Sequence, residues 1–323
     1  MSHRGPVFII DGLNLFLRSF SAYPTMSTHG YQMGGCVGSL KTLQRLCREY
    51  QPSAVYFAWE GGGSTRRRKI YPEYKSSRKP GRLNRFYEDD IPDSESNRKH
   101  QLITLLSILK HTPVCQVYVS DCEGDDIVAY LCRGPLRGED KVIVTADKDM
   151  YQLLDVSTRI YSLYKKNFVT QDTLYDEYRI KSHNFCLAKA LCGDDGDNVP
   201  GLQGMGFKTV AKKFPMLASD ETLVLQDLID YSASHKEESV SYRRVVEGAD
   251  VLRRNWQLVH LDGSMLSPEQ ARKVDFAIDT FDPRADKMSF IRLLVREGIN
   301  DFDFEGFFYD LRCVEKNKQV DSQ

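Results

Sequence analysis

The chain has 323 residues and a mass of 37.0 kDa, enough for about two domains at roughly 100–200 residues each. Its composition, 41% apolar and 28% charged, excludes a largely disordered chain. The 44 Lys and Arg balance 45 Asp and Glu, so net charge points to no polyanionic partner and any electrostatic signal lies in how the charges are distributed.

In chain order, Pro6–Ile10 is a short apolar run that reads as a buried strand, and it ends on the carboxylate of Asp11. Residues 34–50 carry Val37, Leu40, Leu43, Leu46, Cys47 and Tyr50 at helical spacing, and Pro52 stops that helix. Ala54–Trp59 is a second strand, ending on Glu60. Residues 102–109 read as a helix, 114–119 as a third strand, 123–131 as a helix, and 141–146 as a fourth strand ending on Asp147. This alternation predicts an α/β fold with a parallel sheet covered by helices on both faces, and a site at the carboxyl ends of the strands. Beyond about residue 175 the strands stop. Residues 183–192, 206–214, 220–232, 246–260 and 286–297 read as helices of a second, mainly helical region, and the polar residues 316–323 as a frayed end. Apolar runs such as Val7–Ile10 are far shorter than the roughly 18 residues of a membrane helix. The strand-like start leaves no room for a signal peptide, so a cytoplasmic protein with no membrane partner is expected.

The eight cysteines contain no C-x-x-C pair and the seven histidines no metal-binding pair, which disfavours zinc and a disulfide framework; no histidine is given a catalytic role. The segment 66–85 differs from its surroundings. Arg66, Arg67, Arg68, Lys69, Lys75, Arg78, Lys79, Arg82 and Arg85 face one acid, Glu73, with Tyr71, Tyr74 and Tyr87 nearby, and an acidic run from Glu88 to Glu95 follows. Such a long connection is either a solvated loop or a basic lid that tracks a phosphate backbone and stacks bases on aromatics.

Acids gather at three further places: Glu123, Asp125 and Asp126 opening a helix, Asp147 and Asp149 at a strand end, and Asp194, Asp195 and Asp197 after a helix. Each cluster alone has an ordinary explanation in helix capping or turns, and Ser120 with Glu123 fits a capping box. Together with Asp11 and Glu60 they form a set whose mutual repulsion calls for cations. Oxygen ligands without histidine select Mg²⁺, with Mn²⁺ able to substitute. Two such ions about 4 Å apart suit phosphodiester cleavage. Gly201-Leu-Gln-Gly-Met-Gly206 then opens a helix bearing Lys208, Lys212 and Lys213. It follows no strand, so a dinucleotide fold is disfavoured; backbone N–H groups there suit a phosphate held without reading sequence.

Taken in order, Asp11-Gly-Leu-Asn, Tyr71-Pro-Glu-Tyr-Lys-Ser-Ser-Arg78, Glu123-Gly-Asp-Asp126, Thr145-Ala-Asp-Lys-Asp149 and the run from Gly193 to Gly206 resemble the 5′-nucleases: flap endonucleases, the 5′-nuclease domains of bacterial DNA polymerase I, and phage 5′-exonucleases. The match runs from Asp11 to about Leu261, and its phage and bacterial branch is the nearest in pattern. The resemblance implies a PIN-like catalytic domain over 1–178 with an arch at about 66–100. It implies a helical DNA-binding domain over 179–323, with a helix–three-turn–helix at about 183–214. It also implies that Asp11, Glu60, Glu123, Asp125, Asp126 and Asp147 surround a first metal ion. Asp149, Asp194 and Asp197 would serve a second, with Asp147 near both. Lys75 would contact the scissile phosphate, Tyr74 would stack in the arch, and Arg78 would lie near the phosphate. Gly201, Gly204, Gly206, Lys208 and Lys212 would grip DNA at the turn, where a K⁺ ion on backbone carbonyls is a further expectation, and Arg67 is expected to meet DNA. The family normally has Asp where Glu60 stands. The implied activity is Mg²⁺-dependent 5′–3′ exonuclease and flap endonuclease action on DNA with a free 5′ end or 5′ flap, with RNA primers on DNA a further substrate. A stand-alone monomer in a bacterial or phage-infected cell is expected. The alternatives are a PIN-type ribonuclease and a non-catalytic DNA clamp; the glycine turn weighs against the first and the acids against the second.

Overall fold

The computed structural model describes residues 5–76 and 95–316. The first strand, β1 (Val7–Asp11), is buried along its whole length, as expected for a parallel strand covered on both faces. It pairs in parallel with β2 (Ala54–Trp59) and with β4 (Lys141–Thr145). β3 (Cys115–Tyr118) adds beyond β2, and β5 (Thr158–Ser162) beyond β4. A short antiparallel strand, β6 (Asn167–Val169), closes the edge, giving the order β3-β2-β1-β4-β5-β6. The sheet is therefore larger than the four strands predicted and not wholly parallel. The chain moves outward in one direction from β1 and in the other from β4, so the two strands flank the switch point where sites form in such sheets.

Alternate residues of β1 point to opposite faces and seed two cores. Phe8 and Ile10 join Val55, Phe57, Val142 and Val144 under α1 (Gly12–Ala22), α2 (Gly34–Tyr50) and α4 (Glu95–Leu109). Val7 and Ile9 join Ala58, Val117 and Ile143 under α5 (Gly124–Arg133) and the later helices. α2 ends as its sequence foretells: Gln51 adopts a left-handed conformation (φ 47°) just before Pro52.

α3 (Thr65–Ile70) follows β2, so the first residues of the expected arch, 66–70, are helical. Residues 77–94, which carry Arg78 and the middle of the predicted arch, lie outside the described residues. After β6 come α6 (Gln171–Tyr178) and α7 (Phe185–Cys192). The second region is not free of strands: β7 (Gly193–Asp194) and β8 (Val199–Pro200) form a two-residue antiparallel ladder. Then follow α8 (Phe207–Lys213), α9 (Leu225–Ser234), α10 (Val240–Glu247) and α11 (Ala249–Val259). The segment 246–260, read as one helix, breaks at Gly248, which ends α10 and precedes α11.

The residues after 265, which carried no functional signal, cover the sheet. α12 (Pro268–Asp279), opened by the Ser267 cap, lies along β3, with Cys115 Sγ 3.7 Å from the carbonyl of Ala277. α13 (Lys287–Arg296) and α14 (Phe304–Lys316) return to the α2 face, burying Phe290, Leu294, Phe307 and Leu311 there. Asp310 is held by Arg48 at 2.9 Å and by Gln44 at 3.0 Å. Among the described residues no helix is long and apolar enough to cross a membrane.

Candidate active site

Asp11 is both the last residue of β1 and the N-cap of α1. One carboxylate oxygen accepts the Asn14 N–H (3.1 Å) and the other accepts the Thr145 hydroxyl (3.0 Å) from the end of β4. Thr145 Oγ1 in turn accepts the Asp147 N–H (3.0 Å), and Asn14 Oδ1 accepts the Ala146 N–H (3.1 Å). The ends of β1 and β4 are thus laced together on either side of the switch point. Glu60 leaves β2 beside the loop that opens α5, where the Asp121 N–H donates to the Gly61 carbonyl (3.1 Å). A side chain at Gly61 would come within 1.8 Å of the Val119 carbonyl. Glu123 is the N-cap of α5, and its own N–H donates to Asp126 Oδ2 (3.1 Å), so the capping box joins Glu123 to Asp126 and not Ser120 to Glu123.

Asp11, Glu60, Glu123, Asp125 and Asp147 line one cavity of about 80 Å³, with Asn14 and Lys75 on its wall. Burial, and then the charges of Asp147 and Glu60, push the Asp11 carboxyl up to about 7. Burial with Asp147 and Asp11 raises Asp125 well above the carboxylate range, and burial raises Asp147 as well. Acids held this unfavourably for ionisation are a mark of a functional site. Among the described residues no three Asp, Glu, His or Cys side chains are already gathered into a shell that could hold an ion. The donor set nevertheless fits a hard divalent cation. It is all oxygen, and Glu123 Oε1 is buried with no hydrogen-bond partner in the structure.

Basic side chains occupy the remaining acids. Arg67 is 1% exposed and forks onto both oxygens of Asp126 (2.7 and 2.8 Å), with Glu123 at 3.4 Å, while its Nε donates to the Leu258 carbonyl (2.9 Å). It cannot meet DNA from there, and Asp126 is a partner of Arg67 rather than a wall of the acid cavity. Lys75, at φ 58°, sets its ammonium 2.7 Å from Glu123 Oε2 and 3.8 Å from Asp197. Tyr74 is no open stacking platform either. It is 7% exposed, packed on Cys186, Val199 and Leu258, and its hydroxyl lies 3.0 Å from Glu123 and 3.2 Å from Asp197. Burial, followed by those two carboxylates, raises its pKa. Lys189 of α7 places its ammonium between Asp149 (2.7 Å) and Asp194 (2.5 Å).

The glycine-rich turn runs from β7 to α8. Gly193 (φ 74°) and Gly201 meet back to back, and a side chain on Gly201 would strike the Cys192 carbonyl at 2.0 Å. Gly204 takes φ 79°, and Arg244 holds the turn by donating to the Gln203 carbonyl (2.9 Å). Around Gly206, the N-cap of α8, there is open space, and Gly204, Gly206, Lys208 and Lys212 are all exposed.

Comparison with known proteins places this geometry. The family model for the 5′–3′ exonuclease N-terminal resolvase-like domain matches residues 6–182, more than half of the chain. The chain belongs to the 5′–3′ exonuclease family. It is similar to a 5′–3′ exonuclease of Buchnera aphidicola (28% identity over 215 residues, 65% of this chain and 70% of the relative). It is equally similar to the thermostable DNA polymerase I of Thermus aquaticus (28% over 277 residues, 85% of this chain), of which it spans 30% of the length. Its fold matches that of the bacteriophage T5 flap endonuclease, solved with DNA and metal ions, at a TM-score of 0.62 with 18% identity, covering 96% of this chain and 99% of that one.

The sequence reading passes over Lys189, and it holds Asn14 and Thr145 only inside motifs, with no role given to either. Lys189 did leave a signal: it is the single charge in the apolar helix Phe185–Cys192, five residues before Asp194, and a buried Lys needs a carboxylate. Asn14 and Thr145 left less, because their roles rest on two strand ends being neighbours.

Proposed function

We propose that this chain is a divalent-metal-dependent, structure-specific 5′ nuclease acting on DNA, as exonuclease and flap endonuclease. The observation that carries the reading is the single cavity at the switch point where Asp11, Glu60, Glu123, Asp125 and Asp147 meet beside Lys75. Those five acids would hold a first ion, and Asp149, Asp194 and Asp197 a second, with Asp147 facing both. Mg²⁺ is the physiological choice for such oxygens, and Mn²⁺ its substitute. Such ions, when bound, supply Lewis acidity and lower the pKa of water.

The chain's own residues do the rest. Lys75 sits over the cavity and can exchange its contact with Glu123 for a phosphate oxygen, placing a positive charge where negative charge builds. Arg78, three residues on, would add a second. Asn14 and Thr145 keep Asp11 in one orientation. The exposed turn at Gly201, Gly204 and Gly206, with Lys208 and Lys212, would hold the duplex by its backbone, with K⁺ on its carbonyls, and so without regard to sequence. We assign catalysis to 1–178 and the duplex grip to 179–323, acting as a monomer. The T5 enzyme's DNA and metal ions are the partners carried over here; RNA primers on DNA would enter by the same route.

The test is cleavage of a 5′-flap DNA duplex labelled at its 3′ side, with Mg²⁺ or with EDTA, by the wild type and Asp147→Asn. Expected is Mg²⁺-dependent cutting near the junction that Asp147→Asn reduces by orders of magnitude while binding persists. Binding without cleavage would make the protein a clamp, and cutting confined to RNA would make it a ribonuclease; either refutes the reading.

A further inference from the structure

We infer that Lys189 is a resident cation of the second half of the site, so that the two divalent ions load unequally and the second enters only as the Lys189 ammonium withdraws. The inference rests on the metal-dependent reading above.

α7 is buried over seven of its eight residues, and Lys189 is among them. Its side chain is 7% exposed, and its ammonium lies 2.7 Å from Asp149 Oδ1 and 2.5 Å from Asp194 Oδ2. An isolated ammonium this deep would be strongly disfavoured, so the two carboxylates are what keep it there. Asp194 is engaged at both oxygens: Oδ2 faces Lys189, and Oδ1 accepts the N–H groups of Gly196 (2.8 Å) and Asp197 (3.2 Å). An ion seeking Asp194 therefore competes with donors on both oxygens, and it meets a like charge at ion-pair distance.

The first half is built differently. Asp11, Glu60, Asp125 and Asp147 share a cavity whose only basic wall is Lys75 among the described residues. Lys75 is the shallower occupant: its side chain is 17% exposed, and its ammonium lies 2.7 Å from Glu123 Oε2 and 3.8 Å from Asp197 Oδ2. On the other side, Lys189 is the deeper occupant, held at 2.7 Å by Asp149 and at 2.5 Å by Asp194. An ion entering the second half must dislodge an ammonium paired with two carboxylates, and one entering the first half meets a shallower ammonium, so the same ion finds two different affinities. Lys189 is a positioning residue here: it holds Asp149 and Asp194 apart in a defined geometry while that half of the site waits for its ion.

The experiment titrates the full chain, without DNA, with Mn²⁺, following free ion by electron paramagnetic resonance. In the wild type one ion should bind tightly and a second at least tenfold more weakly. In Lys189→Met the second should tighten at least tenfold with the first unchanged, while Lys189→Arg should keep the wild-type inequality. An unchanged or weaker second site in Lys189→Met overturns the inference. A wild type that binds no Mn²⁺ overturns the metal reading itself and this inference with it. Should Lys189→Met fail to fold, the wild type still decides. Reductive methylation read by mass spectrometry should label Lys189 several-fold faster once Mn²⁺ fills the second site, and labelling that Mn²⁺ leaves unchanged refutes the withdrawal.

Discussion

Replacing Arg67 with Met should unsettle the fold far more than it alters DNA binding. Arg67 lies on α3, its fork closes on Asp126 of α5, and its Nε reaches the Leu258 carbonyl of α11. One side chain thereby ties three helices together in a buried setting. Removing it leaves the Asp126 carboxylate buried with the Glu123 N–H as its remaining donor among the described residues, a situation that costs about 3–5 kcal/mol. In a chain of this size that is a fall in melting temperature on the order of 10 °C. Differential scanning calorimetry of wild type, Arg67→Met, Asp126→Asn and the double variant measures the coupling. The double variant should recover more than half of the loss, because the stranded charge is gone and an amide oxygen can still accept from Glu123. A single variant that melts within about 2 °C of wild type, or a double variant no more stable than Arg67→Met, would refute the argument.

Other outcomes follow from the same geometry. Asp11 and Asp149 titrate near 7 in the folded chain, each raised first by burial, so the folded state binds more protons than the unfolded one between about pH 4 and 7. Metal-free protein should therefore lose stability as pH rises through that window, and Mg²⁺ should flatten the trend; melting curves from pH 5 to 8 in EDTA and in Mg²⁺ check both, and a rise with pH in EDTA would count against it. Lys75→Ala should lower the single-turnover cleavage rate far more than it lowers affinity, since the grip at 201–213 remains; loss of affinity with an intact rate would remove Lys75 from the chemistry. Lys208→Ala and Lys212→Ala should each weaken duplex binding alike across sequences and reduce the salt slope by about one, as read by anisotropy at several salt concentrations.

Much of this was legible before any coordinates. β1, β2, β3 and β4 announce themselves as apolar runs, and three of the acids lie directly at strand ends because a parallel sheet presents its carboxyl ends together. β5 and β6 were hidden because Thr158–Ser162 and Asn167–Val169 are short and carry polar residues, below what periodicity resolves. α1 was passed over although Leu15, Phe16 and Phe20 share a face and Asp11 caps it, since attention to Asp11 as an acid concealed it as a cap. The errors at Arg67 and Tyr74 have one cause. A basic, aromatic segment reads as a surface that seeks DNA, yet its partners Asp126 and Glu123 lie some fifty residues away along the chain. Composition shows a charge, while only folding shows whether that charge has already been answered within the molecule.

The return of α13 and α14 to the α2 face bears on how the chain comes together in time. The face of β1 that carries Phe8 and Ile10 shares its core with Phe290, Phe307 and Leu311, so this strand must wait for residues made roughly 300 positions after it before its core is complete. Contacts of such span are slow to close. Until they do, the nascent sheet exposes an apolar face that invites aggregation. Shortening the chain before Phe304 should leave a protein that is made but recovered largely insoluble, with every acid of the cavity still in its sequence.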